Sequence, residues 1–216
     1  MSKKTIWERL KGNGFSDVAA AAIMGNMEAE SNCISYRLQG DFTSGFQKSK
    51  DYTENVDTGV IGRDNFINRG PGGGGYGLCQ WTYPARKAGL YDLAKARSVS
   101  IGDEQLQIDW FWEELHQGEF LSVLNTLLDA DSIRKCSDAL IKRFLRPADQ
   151  SDAVCVQRAQ LGQSFYREFA GGQAEDPDGQ PDMIQVSEAE YNTMCRAMLV
   201  VMYLRDLQNM LGEFEL

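Results

Sequence analysis

Apolar residues recur at helical spacing through most of this chain, and the exceptions mark its boundaries. Ile6, Trp7 and Leu10 share one side of a short amphipathic segment over residues 5–11, which Gly12 and Gly14 stop. Phe15 and Ser16 open a second helix. Ser16 is a good N-cap, and Phe15 can staple onto Ala20. Val18, Ala19, Ala22, Ile23 and Met27 carry this helix to Glu30 and Ser31, and its small residues, with Gly25, permit close packing on a neighbour. The pattern then breaks. Over residues 32–75, Gly, Asp, Asn, Ser and Thr punctuate short alternating stretches such as Tyr52-Thr53-Glu54-Asn55-Val56, which predicts a long loop region with a short β-hairpin. So long an irregular stretch inside a compact domain is usually functional.

Helical periodicity returns after Thr82, which reads as the cap of a helix over 83–97. Further helices are predicted over 103–115, 119–128, 132–145 and 152–169. The run Gly171-Gly172-Gln173-Ala174-Glu175-Asp176-Pro177 has linker composition, and a last helix is predicted over 187–211. The expected class is therefore mainly α within α+β. A helical domain fills residues 1–171, a linker follows over 172–186, and a separate hydrophobic helix lies within 187–216. That helix, from Met194 through Leu204, has almost no polar face and needs burial. It folds back on the rest of the chain or makes a homo-oligomer or a partner contact.

Composition removes several function classes. The formal net charge of -9 over 216 residues gains nothing from counterion release on nucleic acid and is repelled by anionic membranes. The longest apolar run, over 197–204, is far shorter than the ~20 residues of a membrane-spanning helix. The N-terminus has two lysines but no apolar stretch behind them, so no secretory signal is read and synthesis in the cytoplasm is expected. The five cysteines form no C-x-x-C pair and read as free thiols. The single histidine, His116, cannot support a multi-histidine zinc site and falls at a surface helix end. Carboxylates remain as the candidate chemistry.

Two segments could carry it. The first is Gly25-Asn26-Met27-Glu28-Ala29-Glu30-Ser31, at the end of the apolar helix. The C-terminal helix dipole disfavours an ionised Glu30, and shielding by the loop region would act the same way, leaving a carboxyl able to protonate a leaving oxygen. Taken alone, Glu30 also reads as a solvated residue at a helix end. Glu28, two positions away, faces elsewhere. The second segment is Gly75-Tyr76-Gly77-Leu78-Cys79-Gln80-Trp81-Thr82. Its glycines allow close backbone approach, Gln80 offers a donor and an acceptor, and Tyr76 and Trp81 offer ring faces to a sugar. A glycine loop leading into a buried aromatic is the plain alternative. Trp110 and Trp112, flanking Phe111, read as core.

The order helix, Glu-Ser, long loop, Gly-Tyr-Gly-Leu-x-Gln-Trp-Thr, then more helices resembles the phage tail lysozyme family of the lysozyme-like superfamily. Goose-type lysozymes and soluble lytic transglycosylases share its Glu-Ser and Gly-Leu-x-Gln logic. The resemblance spans residues 5–170, including Gly14-Phe15-Ser16, Ile23-Met24-Gly25-Asn26 and Arg146-Pro147-Ala148-Asp149. It implies peptidoglycan as substrate, cleaved between N-acetylmuramic acid and N-acetylglucosamine, with no metal or organic cofactor. It makes Glu30 the catalytic acid, Ser31 and Gln80 substrate-site residues, Gly77 and Leu78 the floor, and Tyr76 and Trp81 neighbours of the cleft. The implied setting is a phage or prophage tail, with an endolysin reading left open. The hydrophobic C-terminal helix would then meet a virion partner.

Two departures stand out: Cys79 where the family has a small residue such as alanine, and Leu145 where an acid would precede Arg-Pro. For a second carboxylate the loop supplies Asp41, Asp51, Glu54, Asp57 and Asp64. Asp57, in Val56-Asp57-Thr58-Gly59, fits the family's loop best and could orient water, although each is also a loop charge or turn former. Without a second carboxylate, a lytic transglycosylase giving anhydro ends fits. The rival from another class is a non-catalytic wall-binding or structural tail protein of the same fold.

Overall fold

Ser16 starts the helix on which the rest of the molecule is laid: its hydroxyl accepts the Ala19 N–H at 3.2 Å. The computed structural model describes residues 3–68 and 74–172. Helix α1 spans Lys3–Gly12 and α2 spans Asp17–Ser31. Residues 19–27 of α2 are all buried, as a helix apolar on every side requires, so α2 forms the axis of the core. Phe15, just ahead of it, is buried against the rings of Phe111 and Trp112.

Four helices of the second half follow the predicted periodicity: α5 (Pro84–Arg97), α6 (Glu104–Leu115), α7 (Leu121–Leu128) and α8 (Ile133–Ala139). Helix α8 runs on as a π-helical turn, Leu140–Leu145, and α9 spans Asp152–Ala170. Asp103 caps α6 and Ser132 caps α8, each accepting a backbone N–H three residues on. Helix α5 starts one residue later than Thr82 would place it. Tyr83 is the capping residue and Pro84 takes the first helical position, where a missing N–H costs nothing.

The segment read as loop and hairpin is largely helical. Helix α3 spans Gln47–Asp57 and α4 spans Arg63–Ile67, while Leu38 and Trp81 each make only an isolated bridge to Tyr76. The buried positions of α3 are Ser49, Tyr52, Thr53 and Val56, which is helical spacing written half in hydroxyl residues. Those hydroxyls are satisfied internally. Ser49 Oγ donates to buried Asp41 and accepts the Leu38 N–H, and Thr53 Oγ1 bonds the Ser49 carbonyl and the Tyr76 hydroxyl.

Helices α2 and α9 approach backbone to backbone at Gly25 and Gly162. A Cβ on Gly25 would lie 2.5 Å from Gly162 N and 2.6 Å from the Arg158 carbonyl oxygen. The second half of the chain thus returns across α2 and delivers a side chain to its end. Helix α9 stops at Gly171, in the left-handed conformation favoured at a helix C-terminus. The predicted linker beyond residue 172 and the helix over 187–211 lie outside the described residues. Among the described residues no helix is long and apolar enough to cross a membrane.

Candidate active site

Helix α2 ends at Ser31 because Asn32 and Cys33 both turn left-handed, with φ of 58° and 55°. Ser31 is buried, and its hydroxyl lies 2.9 Å from the Met27 carbonyl oxygen and 3.1 Å from that of Leu78. This contact brings the two motifs together. Beside it the Glu30 side chain is 16% exposed and takes a hydrogen bond from Arg158 Nη1 at 2.6 Å. Arg158 Nη1 also reaches Asn26 Oδ1 at 3.3 Å, and Asn26 Nδ2 donates to Ser137 Oγ and the Ala22 carbonyl. Glu28 is turned elsewhere and pairs with Lys3 at 2.8 Å.

Arg158 was not among the residues singled out from the sequence. A signal for it exists: it shares the buried stripe of α9 with Cys155, Ala159, Gly162 and Phe165. A charge on an otherwise apolar stripe calls for a buried counter-charge.

Residues 76–81 form a closed turn. The Tyr76 and Trp81 backbones exchange two hydrogen bonds, Gly77 N–H donates to the Arg37 carbonyl at 2.8 Å, and Gln80 N–H donates back to the Gly77 carbonyl. Gly77 has φ of +76°, and a Cβ there would meet Gln107 Oε1 at 2.5 Å, so glycine is required twice over. Gln107 clamps the turn from below. Its Oε1 accepts the Leu78 N–H at 2.8 Å, and its Nε2 donates to the Ser35 and Ile101 carbonyls at 2.6 and 2.7 Å.

The aromatic residues of the turn face inward. Trp81 is fully buried and donates Nε1–H to Glu114 Oε2 at 2.6 Å, while Arg86 grips the same carboxylate with two nitrogens at 2.7 and 2.9 Å. Arg86 also caps the Phe144 carbonyl and lies over the Phe144 ring. Tyr76 is fully buried, its hydroxyl 2.6 Å from Thr53 Oγ1; burial drives its pKa well above the usual phenol range. The expectation that Tyr76 and Trp81 offer ring faces to sugars is therefore corrected. They build the floor of the turn, and Ser31 ties that floor to α2 with no free face of its own.

Gln80 is the partly exposed member, held with φ of 46°. Its Nε2 donates to the Arg37 and Gly77 carbonyls, and among the described residues no donor reaches its Oε1. Cys79 is buried beside it, and burial pushes its thiol up, with Arg86 opposing and Glu114 and Glu30 adding to the rise. Leu145 joins Met27, Cys79 and Phe111 around a small apolar crevice, so carbon closes this side where an acid was expected.

Asp57 has both carboxylate oxygens engaged within the fold. Its Oδ2 accepts from Ser100 Oγ and its Oδ1 accepts the Ile101 N–H at 2.9 Å, pinning the α5–α6 connection to the end of α3. Asp41 is wholly buried under four hydrogen bonds, two each from Thr43 and Ser49. An open groove of about 470 Å³ over α3, lined by Leu38, Gln47, Asp51 and Tyr52 among others, includes no residue of the two motifs.

The arrangement is one shielded carboxylate on a rigid helix end, one adaptable amide on a strained turn, and a hydrogen-bonded floor beneath both. No curated protein sequence matches the chain. The sequence profile of the family described as phage tail lysozyme matches residues 2–169, a span that takes in Glu30, the 76–81 turn and Arg158. The chain belongs to the phage tail lysozyme family, lysozyme-like enzymes of bacteriophage that act on the bacterial cell wall.

Proposed function

We propose that this protein cuts the glycan strands of peptidoglycan at the β-1,4 bond between N-acetylmuramic acid and N-acetylglucosamine, with Glu30 as general acid, in a phage or prophage tail. One observation carries the reading. Glu30 is largely shielded at the end of α2, and the adjacent Ser31 is bonded to the Leu78 carbonyl of the glycine turn. An acid and a backbone-lined floor are thereby held on two packed, rigid elements, as acid-catalysed glycoside cleavage needs.

In the reaction, the Glu30 carboxylic acid gives its proton to the bridging oxygen as the bond to the anomeric carbon breaks. The carboxylate left behind then takes a proton from the attacking hydroxyl. Gln80 Oε1 accepts a hydrogen bond from the glycan. Arg158 donates to Glu30 Oε1 and so orients the carboxyl, while the proton transferred to the glycan is carried on Oε2. Arg158 is then a positioning residue.

The engagement of Asp57 by Ser100 and Ile101 favours a second reading of the product. With both oxygens of that carboxylate serving the fold rather than the substrate, the muramic acid's own hydroxyl attacks and leaves an anhydro end. Clearing of purified peptidoglycan by the wild type and by Glu30→Gln tests the proposal, with mass spectrometry of the fragments reporting hydrolysed or anhydro ends. Loss of clearing in Glu30→Gln is expected. Equal clearing removes Glu30 from the mechanism, and wall binding without cleavage by the wild type identifies a non-catalytic tail protein.

A further inference from the structure

Arg37 is a cation that no carboxylate contacts directly among the described residues. Among the described residues its guanidinium makes no ion pair, and its Nη1 is shut off from water with no hydrogen-bond acceptor. Burial lowers its pKa from the usual arginine range, and the field of Asp41 partly restores it. Asp41 itself is committed to Thr43 and Ser49 and does not pair with it. A half-buried charge left in this state is costly unless something supplies an acceptor.

The side chain is nevertheless held with care. The guanidinium carbon lies 4.0 Å from the centroid of the Phe46 ring, the stacking geometry that arginine favours. Phe46 reaches that place with φ of 55°, directly after Gly45 with φ of 61°. Two successive left-handed residues, one of them aromatic, are an unfavourable backbone retained where the ring position matters. Lys50, with no ion pair among the described residues, lies over Tyr36 at 5.9 Å on the same segment. Two cations that stack on rings of residues 36–46 and make no ion pair among the described residues are unexpected in a chain of net charge -9.

The location connects this cation to the candidate active site. The Arg37 carbonyl accepts hydrogen bonds from Gly77 N–H and from Gln80 Nε2, so the guanidinium leaves the backbone beside the turn that faces Glu30's helix end.

We propose that Arg37, stacked on Phe46, forms a carboxylate-binding subsite beside the cleavage site and takes an acidic group carried by the glycan strand. Two sources offer that chemistry: a carboxylate of the stem peptide, or the lactyl carboxylate of a muramic acid stripped of its peptide. Arginine meets either with paired, charge-assisted hydrogen bonds. The proposal rests on the peptidoglycan reading above, and it explains how an acidic protein holds an acidic polymer.

The test uses the full-length protein with Glu30→Gln to stop cleavage, alone and combined with Arg37→Met, which keeps the stem and removes the charge. Binding is measured by calorimetry at low and high salt to three ligands: peptide-bearing glycan strands, amidase-stripped strands, and chitooligosaccharides, which carry no carboxylate. Arg37→Met is expected to weaken a carboxylate-bearing ligand about tenfold at low salt, less at high salt, and to leave chitooligosaccharide binding unchanged. An effect on peptide-bearing strands alone assigns the stem peptide; an effect on stripped strands alone assigns the lactyl group. Equal affinities for every ligand, or an equal loss on the uncharged one, overturns the proposal. A wild type that cleaves no strand overturns the Glu30 mechanism instead, and the affinity comparison still decides the role of Arg37. Thermal melting of Arg37→Met, compared with Arg37→Lys, separates a folding defect from a binding one.

Discussion

Arg158 donates to Glu30 at 2.6 Å across 128 residues of sequence, and the pair sits where α2 ends and α9 crosses it. The geometry places the carboxylate, shields it, and gives one of its oxygens a charged partner. Replacing Arg158 by methionine leaves Glu30 and Asn26 in a mostly buried pocket without their shared donor. We expect a loss of about 3 kcal/mol in stability, the range for breaking one side of such a pair. We also expect kcat on peptidoglycan to fall more than KM rises, with partial rescue by lysine. A pure KM effect would assign Arg158 to substrate binding instead.

Asp57→Asn separates support from catalysis. Its two oxygens hold Ser100 and Ile101. The variant is expected to lose about 1–2 kcal/mol of stability while keeping its rate within a few-fold of wild type at a temperature where it stays folded. A drop of a thousandfold in kcat would restore Asp57 as a catalytic carboxylate.

Gln107→Leu keeps the side-chain volume but orphans the Leu78 N–H and the Ser35 and Ile101 carbonyls, all bonded to one buried amide. Each unmet buried group costs about 1–3 kcal/mol. Urea denaturation should show a loss of at least about 3 kcal/mol with an unchanged m-value. A near-neutral result would mean that the 76–81 turn stands without its clamp.

Gly25→Ala adds one methyl where the α9 backbone is 2.5 Å away. Backbone cannot rotate aside as a side chain does, so the helices must part. The expected cost is about 3 kcal/mol or more, seen as a Tm lower by several degrees. Activity should fall with it, since Arg158 rides on the displaced helix. Gly12→Ala, with nothing within 4 Å of the added atom, is the matched control and should leave Tm almost unchanged.

Asp41 gives a pH signature. Burial opposes its charge, yet the hydrogen bonds from Ser49 and Thr43 outweigh burial and hold its carboxyl down to about 2. The folded value is below the ~3.9 of a free aspartate, so its stabilisation is whole above pH of about 4. It drains away as pH falls toward about 2. Asp41→Asn should therefore unfold at lower urea than wild type at pH 7, and the gap should narrow steadily between pH 4 and pH 2. A gap independent of pH would show that the charge contributes nothing.

Much of the scaffold was readable along the chain. Ser16 caps the helix it precedes, helices begin beside Asp103 and Ser132 where the periodicity placed them, and the apolar spacing of α1, α2 and α5 to α9 matches their buried faces. Helix α3 escaped because its buried face is half hydroxyl, and Ser49 and Thr53 read as surface until Asp41, Leu38 and Tyr76 supply their partners. The inward turn of Tyr76 and Trp81 escaped for a related reason. An aromatic beside glycine reads equally as platform or as floor, and Glu114 and Thr53, remote in sequence, decide which.

Sequence alone determined helices α1, α2 and α5 to α9, the Ser16 cap and the order of the two motifs, because those depend on neighbours within one or two helical turns. It could not determine which charges meet. Arg158 with Glu30, Arg86 with Glu114 and Gln107 beneath Leu78 are each set by helix packing, above all by the close approach of Gly25 to Gly162. A buried polar group takes whichever partner the fold carries to it, and only the tertiary structure makes that choice.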